Sequence, residues 1–144
     1  SDDNTIKLWD SSKGVLLKTF KGHEHSVRSV AFSLDKKNIV SGHYDGSIKL
    51  WDIKQSKILH EFKEANKKVF SVAFSHDGNF VASSLGDGSI MLFNRKMELL
   101  KKIQVDNTDV TSVAFSPDGN TLASATSLNI KLWDISCLIK CGEN

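Results

Sequence analysis

At 144 residues, with 40% hydrophobic and 25% charged side chains and a formal net charge of +2, the chain has the make-up of a soluble globular protein long enough to bury one ordinary core. So small a charge does not argue for nucleic acid, and no apolar run reaches the roughly 20 residues that cross a bilayer. The opening Ser1-Asp2-Asp3-Asn4 is polar and lacks the charged-then-apolar pattern of a secretory leader.

Along the chain, the first marked segment is Thr-Ile-Lys-Leu-Trp-Asp at 5–10. It returns as Ser-Ile-Lys-Leu-Trp-Asp at 47–52, Ser-Ile-Met-Leu-Phe-Asn at 89–94 and Asn-Ile-Lys-Leu-Trp-Asp at 129–134. The aromatic positions Trp9, Trp51, Phe93 and Trp133 stand 42, 42 and 40 residues apart. A second motif, Ser-Val-Ala-Phe-Ser at 29–33, 71–75 and 112–116, keeps the same pace.

The first full period holds four short apolar runs, near 26–33, 37–42, 47–52 and 57–63. Turn residues separate them: Leu34-Asp35-Lys36-Lys37, Tyr44-Asp45-Gly46 and Lys54-Gln55-Ser56. Asp-Gly between apolar runs predicts a hairpin, because glycine accepts positive φ, and Asp77-Gly78, Asp87-Gly88 and Asp118-Gly119 repeat that chemistry. No stretch shows a sustained helical stripe, and Pro117, the single proline, falls in a turn. Within 29–33, Val30 and Phe32 point one way and Ala31 the other, a pattern that suits sheets buried on both faces by stacking.

Two motifs in register at a period of 40–45 residues resemble the WD40-repeat family over essentially the whole chain. The resemblance implies an all-β propeller of four-stranded antiparallel blades, here about three and a half of them. Residues 4–10 and 15–21 are then the third and fourth strands of one blade, followed by blades over 22–63, 64–104 and 105–144 (strands to about 141). Family rings close with more blades than this, so the expected completion is either further sequence of a longer chain or another copy. An open inner edge favours the longer chain.

In the first full repeat the resemblance assigns His23, Ser41, Asp45 and Trp51 to a buried structural network. A catalytic reading of Ser, His and Asp is the weaker one, since a nucleophile needs an exposed oxygen and an oxyanion hole. The second repeat has Glu64-Ala65 for Gly22-His23 and Phe93 for the tryptophan; it keeps Ser83 and Asp87. The third has Val105-Asp106 and a shortened Thr126-Ser127-Leu128 turn, and keeps Ser124 and Trp133. Those blades are expected to lean on apolar packing.

The family places loops on a top face around the channel mouth, where its members commonly bind peptides. His25 and His43 are assigned to such loops, and His60 and His76 to exposed turns or outer strands. The candidate partner-binding residues are His25, Ser26, Arg28 and Tyr44, then Lys67, Lys68 and Phe70, then Thr108, Asp109 and Thr111; aromatics and Arg among polar loop residues match interface composition. Cys137 and Cys141, in an extended segment, would have Cα atoms roughly 13 Å apart, too far for a disulfide, and zinc needs more ligands than this pair. The expected protein is an intracellular, cytoplasmic, non-catalytic interaction scaffold or adaptor. It needs no cofactor or metal, and its partners are proteins or peptides on the top face, not nucleic acid or membrane. The alternatives are a structural subunit of a large assembly, or a regulatory WD domain fused to an enzyme outside this segment.

Overall fold

A computed structural model describes residues 1–64 and 66–141, in which thirteen strands form antiparallel sheets. Ala65, half of the pair that stands in place of Gly22-His23, lies outside the described residues, as do residues 142–144. Strands β1 (Ile6–Trp9) and β2 (Leu16–Phe20) pair alone. Strands β3 (Val27–Phe32), β4 (Asn38–His43), β5 (Ser47–Asp52) and β6 (Lys57–Lys63) make the first four-stranded sheet, in sequence order. The second contains β7 (Val69–Phe74), β8 (Phe80–Leu85), β9 (Ser89–Asn94) and β10 (Leu99–Gln104). The third contains β11 (Val110–Phe115), β12 (Thr121–Thr126) and β13 (Ile130–Asp134).

The last unit departs from the expected four strands. After β13 the chain turns into a short helix, α1 (Ser136–Cys141). The Asp134 carboxylate accepts hydrogen bonds from the Ser136 amide at 2.9 Å and hydroxyl at 2.5 Å, which caps the incoming turn. Ile135 is fully buried, and Leu138 packs against the same core. Their spacing of three suits a helix and not a strand. The extended geometry used to exclude a Cys137–Cys141 bridge therefore does not apply, although the Cys137 thiol is free and exposed.

One turn recurs three times. Ser33 Oγ donates to Asp35 at 2.6 Å and accepts the Asn38 amide at 3.0 Å, while Asp35 accepts the Lys37 amide at 3.0 Å. Ser75 with Asp77, and Ser116 with Asp118, repeat the arrangement. Side-chain oxygens thus replace the missing ladder partners at each hairpin end. Gly78 and Gly119 take the left-handed position of this turn, at φ 73° and 74°, and in the first sheet Lys36 is forced into it at φ 60°.

Gly46 and Gly88 have positive φ for a further reason. A Cβ on Gly46 would run into the Glu64 carbonyl, and one on Gly88 into the Asp106 carbonyl. The Gly88 carbonyl accepts the amides of Val105 and Asp106, at 2.9 and 3.2 Å. Glycine lets the segment crossing to the next sheet lie directly on the turn.

The sheets stack face to face. Val40, Ile48 and Leu50 of the first meet Val72, Val81, Leu85, Met91 and Phe93 of the second. Ala82, Ile90 and Leu92 then meet Val110, Val113 and Leu122 of the third. The β1–β2 pair covers part of the first sheet through Ile6 and Phe20 against Ile39 and Trp51. The expected burial of both faces holds for the middle strands of the first and second sheets, β4, β5, β8 and β9, and fails for β3 and for the third sheet's outer face. Val30 is 51% exposed, whereas Val72 and Val113 at the same motif position are 5% exposed. At the far side Ile130 and Leu132 are 78% and 71% exposed. An outward sheet face stays wet when no described element lies on it.

Candidate docking face and the network beneath it

The inner strands β3, β7 and β11 share an irregularity. Val27 pairs with His43 and Ser29 with Gly42, so Arg28 is left over. Val69 pairs with Leu85 and Ser71 with Ser84, leaving out Phe70. Val110 pairs with Thr126 and Ser112 with Ala125, leaving out Thr111. A β-bulge of this kind bends the strand and re-aims one side chain. Here it occurs three times at matched positions near the start of each inner strand. Arg28, Phe70 and Thr111 were candidates by loop composition; the bulge itself has no glycine or other marker in the sequence.

The first and second sheets meet in a cleft of about 500 Å³ lined by His25, Tyr44, Asp45, Lys63, Asn66 and Lys68. Lys68 Nζ stands 4.5 Å from the centre of the exposed Tyr44 ring, within cation–π range. Arg28 Cζ stands 5.8 Å from the centre of the Phe70 ring. Phe70, Asp109 and Lys68 converge over Gly86, which occupies the position that Tyr44 has in the first repeat. A Cβ on Gly86 would lie 3.1 Å from Phe70 Cε2, so the absent side chain leaves room for the Phe70 ring. Gly86 was missed because it precedes Asp87-Gly88 and reads as part of an ordinary turn.

Other candidates do something else. The Ser26 carbonyl accepts the Tyr44 amide at 3.1 Å. Thr111 Oγ1 donates to the Ala125 carbonyl at 3.2 Å, and Thr108 is exposed. Lys67 is turned away into an ion cluster. Its Nζ lies 2.7 Å from Asp87 and 3.2 Å from Glu64, and Lys102 Nζ lies 3.4 and 3.3 Å from the same two groups. Lys67 is held protonated by Asp87 above all. Burial opposes the charge on Asp87, but Lys67 and Ser89 overcome it and bring its pKa to about 2.

Beneath this face the expected His23–Ser41–Asp45–Trp51 network forms differently. Trp51 Nε1 donates to Ser41 Oγ at 2.9 Å, and Ser41 Oγ lies 2.9 Å from His43 Nε2. His43 is therefore not a loop residue: it ends β4 and is buried. His23 contributes stacking instead, 4.7 Å from the His43 ring and 4.8 Å from Trp51, and its ring nitrogens have no hydrogen-bond partner among the described residues. Asp45 faces outward, accepting from Ser47 at 2.7 Å and pairing with Lys63 at 2.9 Å. Burial disfavours its charge, yet these two partners hold the carboxyl well below the usual carboxylate range. The difference follows from sequence distance: His43 is two residues from Ser41 on one strand face, so it reaches the hydroxyl first. His60 and His76 are exposed.

Desolvation first, and then Lys49, lower the His23 pKa to about 4. Desolvation, then His23 and Lys49, bring that of His43 to about 4. The rings are neutral at physiological pH; Ser41 Oγ accepts from the indole and shares its other hydrogen bond with His43 Nε2, whose direction follows the imidazole tautomer. Ser41 is fully buried, so its hydroxyl has no approach for a substrate. Lys49 and Lys131, unremarked in the sequence, each reach a crossing segment: Lys49 Nζ to the Gly22 carbonyl at 2.9 Å and Lys131 Nζ to that of Val105 at 2.6 Å.

Stacked antiparallel sheets with a matched inner-strand bulge define a propeller-type repeat protein. The family model described as "WD domain, G-beta repeat" matches residues 14–52, 56–94 and 97–134, and the chain belongs to that family. Its repeats serve in general as interaction scaffolds and are generally non-catalytic. The chain is similar to the Nuclear distribution protein PAC1 of Mycosarcoma maydis, 49% identical over 41 residues, or 28% of this chain and 9% of that protein. It is also similar to the Denticleless protein homolog of Danio rerio, 51% identical over 47 residues, 32% of this chain and 7% of that protein. Protein Notchless of Drosophila melanogaster is 46% identical over 35 residues, 24% of this chain and 7% of that protein. The matched stretches thus span less than a tenth of these relatives' lengths. No helix among the described residues is long and apolar enough to cross a membrane.

Proposed function

We propose that this chain is a non-catalytic adaptor that docks a protein or peptide on the face formed by His25, Arg28, Tyr44, Lys68, Phe70 and Asp109. The carrying observation is the triple bulge, which turns Arg28, Phe70 and Thr111 out of their ladders at one level of the stack. Strands with such different residues at one bulge point keep the geometry and vary the chemistry, as a rigid scaffold with a changeable contact surface requires. The blade units over 22–63, 64–104 and 105–144 act as its repeating docking elements. Further blades, from a longer chain or a second copy, cover the exposed Val30 and Ile130 faces. The working compartment is the cell interior, in line with the fungal relative's name.

A photo-crosslinking residue tests the reading. Placed at Tyr44 or Phe70 in cells, it should give a discrete crosslinked protein band that the same residue at exposed His60 does not. Equal bands from all three positions, or none from Tyr44 and Phe70, would remove this face from consideration.

A further inference from the structure

We propose that the cleft between the first and second sheets takes an acidic segment of its protein partner, an inference that rests on the docking reading above. The argument is charge complementarity. Arg28 and Lys68 are both exposed, and among the described residues neither has a carboxylate within salt-bridge distance; each lies against an aromatic ring instead. By contrast Lys63 is paired with Asp45, and Lys67 and Lys102 with Glu64 and Asp87. Asp45, the carboxylate that lines the cleft, is consumed by Lys63, which leaves Lys68 as the unpaired cation of the lining; Arg28 stands outside the cleft, on the bulge beside Phe70, and extends the positive surface from there.

The rings fix how such a segment would lie. Tyr44 is 46% exposed and forms a floor of the cleft. An apolar side chain of the partner covers Tyr44 while a neighbouring carboxylate reaches Lys68 Nζ. A second carboxylate further along reaches the planar guanidinium of Arg28, which binds carboxylates with two parallel hydrogen bonds. Asp109, which converges with Phe70 and Lys68 over Gly86, marks the limit of the positive surface. An acidic segment is repelled there.

The probe is a fluorescein-labelled peptide alternating Glu and Leu, titrated with the purified protein and read by anisotropy. Its Gln–Leu counterpart and a single-stranded oligothymidine are run beside it. The Glu peptide should bind, weaken as salt is raised, and lose at least about tenfold in affinity with Lys68→Glu or Arg28→Glu. Asp109→Asn should tighten it. Both cations are exposed, so thermal unfolding of these variants should match that of the parent. Equal binding of the Gln peptide, tighter binding of the oligothymidine, or indifference to both charge reversals would overturn the proposal. If Tyr44 still crosslinks a partner in cells under any of those outcomes, the docking face stands and only its acidic preference falls.

Discussion

The sheets β3–β6 and β7–β10 share strand order, bulge position and turn chemistry, yet the space beneath their upper ends is filled by opposite means. In the first, Ser41, His43, Lys49 and Trp51 form a polar chain from indole to hydroxyl to imidazole, with Lys49 bonded to the Gly22 carbonyl. In the second, the positions 42 residues on hold Ser83, Leu85, Met91 and Phe93, all of them buried. Phe93 packs against Phe62 at 4.9 Å, and Ser83 Oγ has no hydrogen-bond partner among the described residues. The replaced polar function moves outward, to the Glu64, Lys67, Asp87 and Lys102 cluster. The third sheet is intermediate: Trp133 Nε1 still donates to Ser124 at 2.9 Å, but the histidine position is Thr126. One backbone therefore accepts either filling, provided that the polar one is satisfied and the apolar one is close-packed.

Deleting the large ring from either sheet should have the largest effect. Trp51→Ala and Phe93→Ala are each expected to cost about 3–5 kcal/mol in urea unfolding, because both rings are essentially inaccessible to solvent. A loss below about 1 kcal/mol for either would mean that its core is not packed as described. Acid should separate the sheets next. The His23 and His43 pKa values lie near 4 against an ordinary 6.5, so the unfolded chain binds more protons than the folded one between those values. Stability is then fully present above about pH 7 and falls as pH drops from 6.5 towards 4. The urea midpoint measured across that range should decline, and His43→Leu, which copies Leu85, should flatten the decline. A parent midpoint that does not change over this range would contradict two buried neutral imidazoles. The smallest contrast concerns the two serines. Ser41→Ala leaves the Trp51 and His43 nitrogens unpaired and should cost about 1–3 kcal/mol. Ser83→Ala removes a hydroxyl that has no partner among the described residues and should be neutral or slightly stabilising. Equal losses at both positions would erase the distinction drawn between the two sheets.

Strand positions and hairpins were legible because their signals are local: alternating apolar residues, Asp-Gly turns and a 42-residue register. The Ser–Asp turn could also have been read, since Ser33, Ser75 and Ser116 each precede an aspartate by two residues. At the candidate site, Arg28, Tyr44, Lys68, Phe70 and Asp109 were chosen by residue type and loop position, and the fold brings them to neighbouring positions. Lys67 was chosen on the same grounds and belongs to the ion cluster instead. Glu64, three residues before Lys67, is a local partner, but the closer carboxylate comes from Asp87 on the following hairpin, which only the fold brings near. Likewise His43 displaced His23 as partner of Ser41, a matter of which imidazole the folded strand face brings within reach. Helix α1 escaped notice because one turn carries too little periodicity to register.

The three copies of Ser-Val-Ala-Phe-Ser show where local information stops. The alternation in each was enough to make a strand, to set the pleat and to put Val30, Val72 and Val113 on corresponding faces. Their burial was decided only by what the stack places against them: a preceding sheet for Val72 and Val113, and open solvent over most of Val30. The pleat depends on neighbours along the chain, whereas the hydrophobic free energy depends on water displaced by residues some forty positions away, and that distance is closed only in the folded stack.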